Sequence, residues 1–112
     1  MSQDIKATSE DQFAQEVSTV RNEKLHRYEV RVGDQLAGFA AYLDKPGHID
    51  FTHTETSEDF RGRGLAGVLV RFALDDVVAS GKRIIPHCPY VARFVREHEG
   101  YEQYVDWPQP KA

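Results

Sequence analysis

Seven residues, Arg61-Gly62-Arg63-Gly64-Leu65-Ala66-Gly67, hold three glycines and two arginines. An apolar-periodic segment follows them directly. The first turn of a helix offers unpaired backbone N–H groups and the positive end of the helix dipole. Glycines let an anion approach that backbone, and arginines add charge-assisted hydrogen bonds. The chemistry such a turn supports is the holding of a phosphate or pyrophosphate. The plainer alternative is punctuation, a Gly-rich turn that only starts a helix.

A second group of residues could move protons or supply a nucleophile. Cys88 closes a short apolar strand and stands at the N-cap of a helix opening on Pro89, a position that favours thiolate; a small buried filler is its plainer role. His53 has a side chain suited to base work near neutrality, against a structural histidine held by a hydrogen bond. Glu55, two residues on, shares its strand face. It could act as a base through water or orient the histidine, against an exposed strand carboxylate. His87 adjoins Cys88 but alternates to the other face and ranks lower. Tyr90 could donate a proton or simply pack. Asp75, Asp76, Arg93 and Arg96 read as solvated helix faces, and Phe13, Phe39, Phe72 and Phe94 as core.

The elements that must position these residues follow from periodicity. Residues 1–14 are polar and expected to fray, with Ser9-Glu10-Asp11-Gln12 resembling a capping box. Glu16–Val20 is β-branched and reads as a first strand. From Arg27, Tyr28, Val30 and Val32 alternate with Arg27, Glu29 and Arg31. Gly33-Asp34 turns the chain. Leu36–Leu43 is nearly all apolar, which predicts cover on both faces. Lys45-Pro46-Gly47 turns again, and His48–Thr56 is a third long strand with Ile49 and Phe51 on one face. The period then changes: Leu65, Val68, Leu69, Phe72, Ala73 and Val77 mark one helix face, and Ser80-Gly81 stops it. Arg83–Cys88 is a short buried strand. A strand, a helix and a strand in succession predict a right-handed crossover and a parallel pair. Pro89 opens a second helix with Val91, Phe94, Val95 and His98 inward, ended by Gly100. Tyr101, Tyr104 and Val105 pack back or add an edge strand, and residues 106–112 read as a loose tail.

Composition bounds the function. With 112 residues one domain is expected. A net charge of -4 argues against nucleic-acid binding. The single Cys excludes an internal disulfide and suits a reducing cytosol. No apolar run approaches a membrane span. His26, His48, His53, His87 and His98 form no ligand-spaced set with Cys88, so no metal is expected. A monomer is expected, with a dimer as the alternative.

Gly62, Gly64 and Gly67 satisfy the dinucleotide fingerprint by letter. The upstream strands are antiparallel, however, and the next strand ends in His87-Cys88 rather than a ribose-binding acid. No Gly-Lys-Ser/Thr follows, which excludes an ATP P-loop. Arg61-Gly62-Arg63-Gly64-Leu65-Ala66 instead matches Gln/Arg-x-x-Gly-x-Gly/Ala, and the chain from about Arg27 to Tyr101 resembles the GCN5-related N-acetyltransferases. His53-Thr54-Glu55, Cys88-Pro89-Tyr90-Val91 and His98 followed by Tyr101 are similar to their small stand-alone YjdJ-type branch. Thr56 in place of Val, and Glu99-Gly100-Tyr101 in place of Pro-Glu-Tyr, depart from that branch. The resemblance implies an α+β fold: an antiparallel meander, pyrophosphate turn, helix, strand and helix. Its parallel strands would splay near Thr56 and Cys88. It implies acetyl-CoA as cofactor, bound by Thr56, Arg61, Gly62, Arg63, Gly64, Leu65, Ala66 and Tyr90. Acetyl would pass to a primary amine of a small molecule or protein, with Cys88, His53 and Glu55 as catalytic candidates. A CoA-binding sensor without turnover is the alternative.

Overall fold

Alternation places Tyr28, Val30 and Val32 on one face of a sheet and Arg27, Glu29 and Arg31 on the other, and the structure keeps that division. The computed structural model describes residues 16–108. Strands β1 (Val17–Asn22), β2 (Arg27–Val32), β3 (Gln35–Lys45) and β4 (His48–Thr56) form an antiparallel meander. A 3-10 turn (Glu58–Phe60) leads to helix α1 (Leu65–Ala79), then β5 (Arg83–Pro86) and helix α2 (Pro89–Glu97). The five strands lie in sequence order, and β5 joins β4 in parallel. The fold is mixed α+β. The capping-box motif and Phe13 lie outside the described residues, as do residues 109–112.

One contiguous core forms where both helices meet the sheet. Tyr28, Val30, Ala40, Tyr42, Ile49 and Phe51 contribute from the strands; Leu69, Ala73, Leu74, Val77, Val91, Phe94 and Val95 come from the helices. Tyr28 is fully buried and donates its hydroxyl to Asp76 on α1 at 2.7 Å, so one of the two acidic residues read as solvated ties helix to sheet. Helix α1 ends as read: Lys82 N–H reaches Val77 O at 3.1 Å and Gly81 N–H reaches Val78 O at 3.0 Å, with Gly81 at φ +78°. Val68, placed by periodicity on the inner face, is 44% exposed.

The tail is anchored further than the sequence suggested. Asp106 N–H donates to Ile84 O at 2.8 Å, and Val105 bridges Ile84 in parallel. The Asp106 carboxylate accepts from Arg83 and faces His48 Nε2, each at 2.8 Å. Arg83 first, then His48, hold the Asp106 carboxyl well below the usual carboxylate range.

Two β-bulges adjust the meander. Ala37 is the extra residue of β3 against β2, and Thr52 that of β4 against β3. After Thr52, His53 and Glu55 point to the helix-free face, while Thr54 and Thr56 sit opposite Ala40 and Gly38 on the helix side.

No helix covers the other face of β3 among the described residues, contrary to the two-sided cover predicted from its composition. Phe39 there is shielded by the Arg27 guanidinium, 4.9 Å from its ring centroid, and by the His53 ring at 6.0 Å. Glu29, 2% exposed, accepts from Arg27 at 2.8 Å, Asn22 at 3.0 Å and Arg31 at 3.1 Å. Burial alone would raise its pKa. The bonds from Arg27, Asn22 and Arg31 outweigh it and hold the carboxyl below its ordinary value. A depressed folded-state pKa gives stability that is present above the unfolded pKa and lost as pH falls through the folded one. Urea unfolding at pH 7 and at stepwise lower pH should therefore show falling stability below about pH 4. Glu29→Gln should be less stable at pH 7 and show a shallower acid slope; equal slopes would mean that this cluster does not contribute.

Candidate active site

Buried Phe60 pins the start of the glycine turn. Arg61 is extended, Gly62 has φ +81°, and Gly64, at φ +74° and ψ 14°, is the N-cap of α1. With no side chain, Gly64 supplies no cap, and the first helical bond runs from Val68 N–H to Gly64 O at 3.3 Å. The N–H groups of Leu65, Ala66 and Gly67 therefore lack helical acceptors. A Cβ at Gly62 or Gly64 would meet nothing within 4 Å, so the approach to this backbone is open. Arg61 and Arg63 are exposed, and the Arg63 guanidinium lies 5.2 Å from the Phe60 ring centroid. The Leu65 side chain is buried; only its backbone faces the turn.

Beside this turn the parallel strands separate. Pairing of β4 with β5 ends at Phe51 and Pro86, and the last rung is Cys88 N–H to Phe51 O at 2.8 Å. Strand β4 continues to Thr56 without β5. Ser57 N–H donates to Ala37 O at 2.8 Å. Backbone groups alternate in direction along an antiparallel pair, so His53 and Glu55 bond toward β3. Thr54 and Thr56 then turn their N–H and C=O groups toward the gap. Cys88 is the N-cap of α2, as read from sequence, with Pro89 in its first turn. It is 3% exposed, and its Sγ lies 3.3 Å from Thr54 Oγ1. Half-buried Tyr90 stands on the first turn of α2, its ring centroid 6.5 Å from that of Phe94.

A groove runs from the glycine turn between the two helices. One cavity of about 450 Å³ is lined by Gly64, Gly67, Val68, Arg71, Phe72, Asp75, Phe94 and His98. An adjoining one of about 280 Å³ adds Tyr90, Arg93 and Glu97. The sequence reading took Phe72 and Phe94 as core only and did not single out Arg71. The signal was present: Gly64, Gly67, Val68 and Arg71 follow helical spacing from the turn itself. The Tyr101 hydroxyl donates to Asp75 at 2.7 Å; burial and that carboxylate push its pKa up to about 12.

The catalytic candidates do not converge. His53 Nε2 and Glu55 Oε2 are 3.6 Å apart, both side chains 59% exposed, on the helix-free face. Cys88 and Thr54 lie on the helix side. The two groups lie on opposite faces of the sheet. The lower-ranked His87 also lies on the helix-free side, with Nδ1 2.7 Å from Asp50, a residue the sequence reading did not select. Among the described residues no cluster of three metal-ligating side chains occurs, and no helix is long and apolar enough to cross a membrane.

The fold, the glycine turn and the strand gap together define a known class. A family model described as GCN5-related N-acetyl-transferase matches residues 27–105, and the chain belongs to that family. Among curated proteins it is similar to Protein NATD1 of Bos taurus, 40% identical over 62 residues, covering 55% of this chain and 54% of that protein. Protein NATD1 of Homo sapiens is 37% identical over 62 residues, again 55% and 54%. The chain spans about half the length of the curated relatives it matches. Two solved structures share the fold. A GCN5-like protein from Staphylococcus aureus has TM-score 0.61 at 13% identity, covering 85% of this chain and 91% of that one. A ribosomal-protein-alanine N-acetyltransferase from Brucella melitensis biovar Abortus 2308 has TM-score 0.53 at 24% identity, covering 77% and 64%.

Proposed function

We propose that this protein is a single-domain, acetyl-CoA-dependent N-acetyltransferase of the YjdJ-type branch, acting in a reducing cytosol on a primary amine of a small molecule or protein. The observation that carries this reading is the adjacency of two unsatisfied backbone surfaces: the uncapped α1 terminus and the gap edge of β4. Their adjacency suits a ligand with a pyrophosphate at one end and an amide-bearing arm. The pyrophosphate would sit on the N–H groups following Gly64, with Arg61 and Arg63 adding charge. The arm would hydrogen-bond to Thr54 and Thr56, bringing the thioester to the gap near Cys88 and Tyr90. His53 and Glu55 would meet the amine arriving from the helix-free face. Because Cys88 is buried against Thr54, direct attack of the amine is the simpler route.

Acetyl-CoA and CoA should raise the melting temperature and NAD should not. At about 100 times Kd the gain is about 2.7 kcal/mol, or several degrees for a domain of this size. An unchanged melting curve in millimolar acetyl-CoA would sink the assignment. Release of CoA thiol only when amine is present separates transfer from a binding-only sensor.

A further inference from the structure

Asp50 is 1% exposed in the middle of β4, on the face opposite Ile49 and Phe51. It has two partners: Lys45 Nζ at 2.9 Å from one carboxylate oxygen and His87 Nδ1 at 2.7 Å from the other. A carboxylate only accepts, so His87 must carry its proton on Nδ1 and donate it to Asp50. Nε2 of the neutral ring is left with a free lone pair and has no hydrogen-bond partner among the described residues. The His87 side chain is 51% exposed. It immediately precedes Cys88, whose N–H makes the last rung between β4 and β5. The imidazole thus emerges where the gap opens, on the face opposite Cys88 and Thr54. The His53 imidazole, also on this face, is less constrained: the His53–Glu55 separation of 3.6 Å is longer than a hydrogen bond, and both side chains are in solvent.

We propose that His87 is the catalytic base for the acceptor amine and that Asp50 is the residue that positions it, an assignment that rests on the acetyl-transfer reading above. An ammonium entering from the helix-free face gives one proton to His87 Nε2. The freed nitrogen lone pair attacks the thioester carbonyl, and the C–N bond forms. On collapse the C–S bond breaks and CoA leaves as thiolate. The second amine proton neutralises the thiolate through solvent, and His87 returns its proton to water. Asp50 and Lys45 act on the tautomer: with Lys45 holding one oxygen, the other is fixed as acceptor for Nδ1–H, and Nε2 is the nitrogen that carries the lone pair of the neutral ring.

The test uses the whole chain, saturating acetyl-CoA and a lysine-containing peptide as probe amine, with CoA thiol release as the readout. His87→Asn retains a donor toward Asp50 but has no Nε2. It should keep acetyl-CoA affinity by calorimetry and keep its melting temperature, while kcat falls about 10²–10⁴-fold; His87→Gln provides a second variant of the same kind. Asp50→Asn is the sharper experiment. Lys45, donor only, claims the amide oxygen, and the amide NH₂ then faces Nδ1, moving the ring proton to Nε2. Nitrogen-15 NMR should show His87 as the Nδ1–H tautomer in the wild type and the Nε2–H tautomer in Asp50→Asn. A matching drop in kcat at unchanged acetyl-CoA affinity should accompany it. Wild-type turnover in His87→Asn, or an Nε2–H tautomer in the wild type, overturns the base assignment. A wild type that binds acetyl-CoA but releases no CoA to the peptide or to water overturns the transfer reading instead, while the tautomer still reports on the Asp50–His87 pair.

Discussion

Gly64→Val is expected to lose CoA affinity by about 10²–10⁴-fold, the equivalent of two charge-assisted hydrogen bonds. A valine there would project into the open space from which a phosphate reaches the N–H groups of Leu65, Ala66 and Gly67. The substitution also carries a backbone cost, because Gly64 has φ +74° and a residue with a Cβ is disfavoured there by roughly 1–2 kcal/mol. Gly47 supplies the control. It has φ +73° in the β3–β4 turn, and a Cβ there also meets nothing within 4 Å. Gly47→Val should therefore lose comparable stability, about 4–8 °C per kcal/mol, and bind CoA normally. Calorimetric titration of both variants, below their melting temperatures, separates strain from lost recognition. Normal CoA binding by Gly64→Val would make the turn purely structural.

Iodoacetamide is expected to react with Cys88 about a thousandfold more slowly in the folded, CoA-free protein than in urea. The residue is 3% exposed, and its thiol meets Thr54 at 3.3 Å. Reaction must therefore wait for local opening, which at about 4 kcal/mol gives that factor. Cys88→Ser preserves a hydroxyl partner for Thr54 and should keep both CoA affinity and, under direct attack, a transfer rate within a few-fold of wild type. Rapid alkylation of the folded protein, together with loss of transfer but not binding in Cys88→Ser, would instead establish an acetyl-cysteine intermediate.

Periodicity made the scaffold legible wherever a strand or helix declares one apolar face. The alternation from Arg27, the helix from Leu65 and its Gly81 stop, and Pro89 opening α2 are local signals, and the elements follow them. The burial of Asp50 was not legible. An Asp between Ile49 and Phe51 reads as the solvent side of a strand, and its partners lie 5 and 37 residues away. The cover of β3 was misread for a similar reason: long side chains, Arg27 over Phe39 above all, shield a face that composition assigned to another element. Of the candidate site, the glycine turn was visible as a motif. The groove leading from it was not, because Phe94 and Phe72 have the spacing of core residues whether or not a cavity adjoins them.

The extra residue at Thr52 gives β4 something like a shift of reading frame. Before it, the phase of the strand is set by Ile49 and Phe51. After it, polar residues follow a phase of their own, which the core does not constrain. Removing Thr52 itself would dissolve the bulge and keep the two faces beyond it. With the bulge kept, removing any one of residues 53 to 55 would exchange the faces of every residue that follows within the strand. Two chains with the same letters here can therefore present opposite side chains to the cleft, and comparing them requires counting residues as well as matching them.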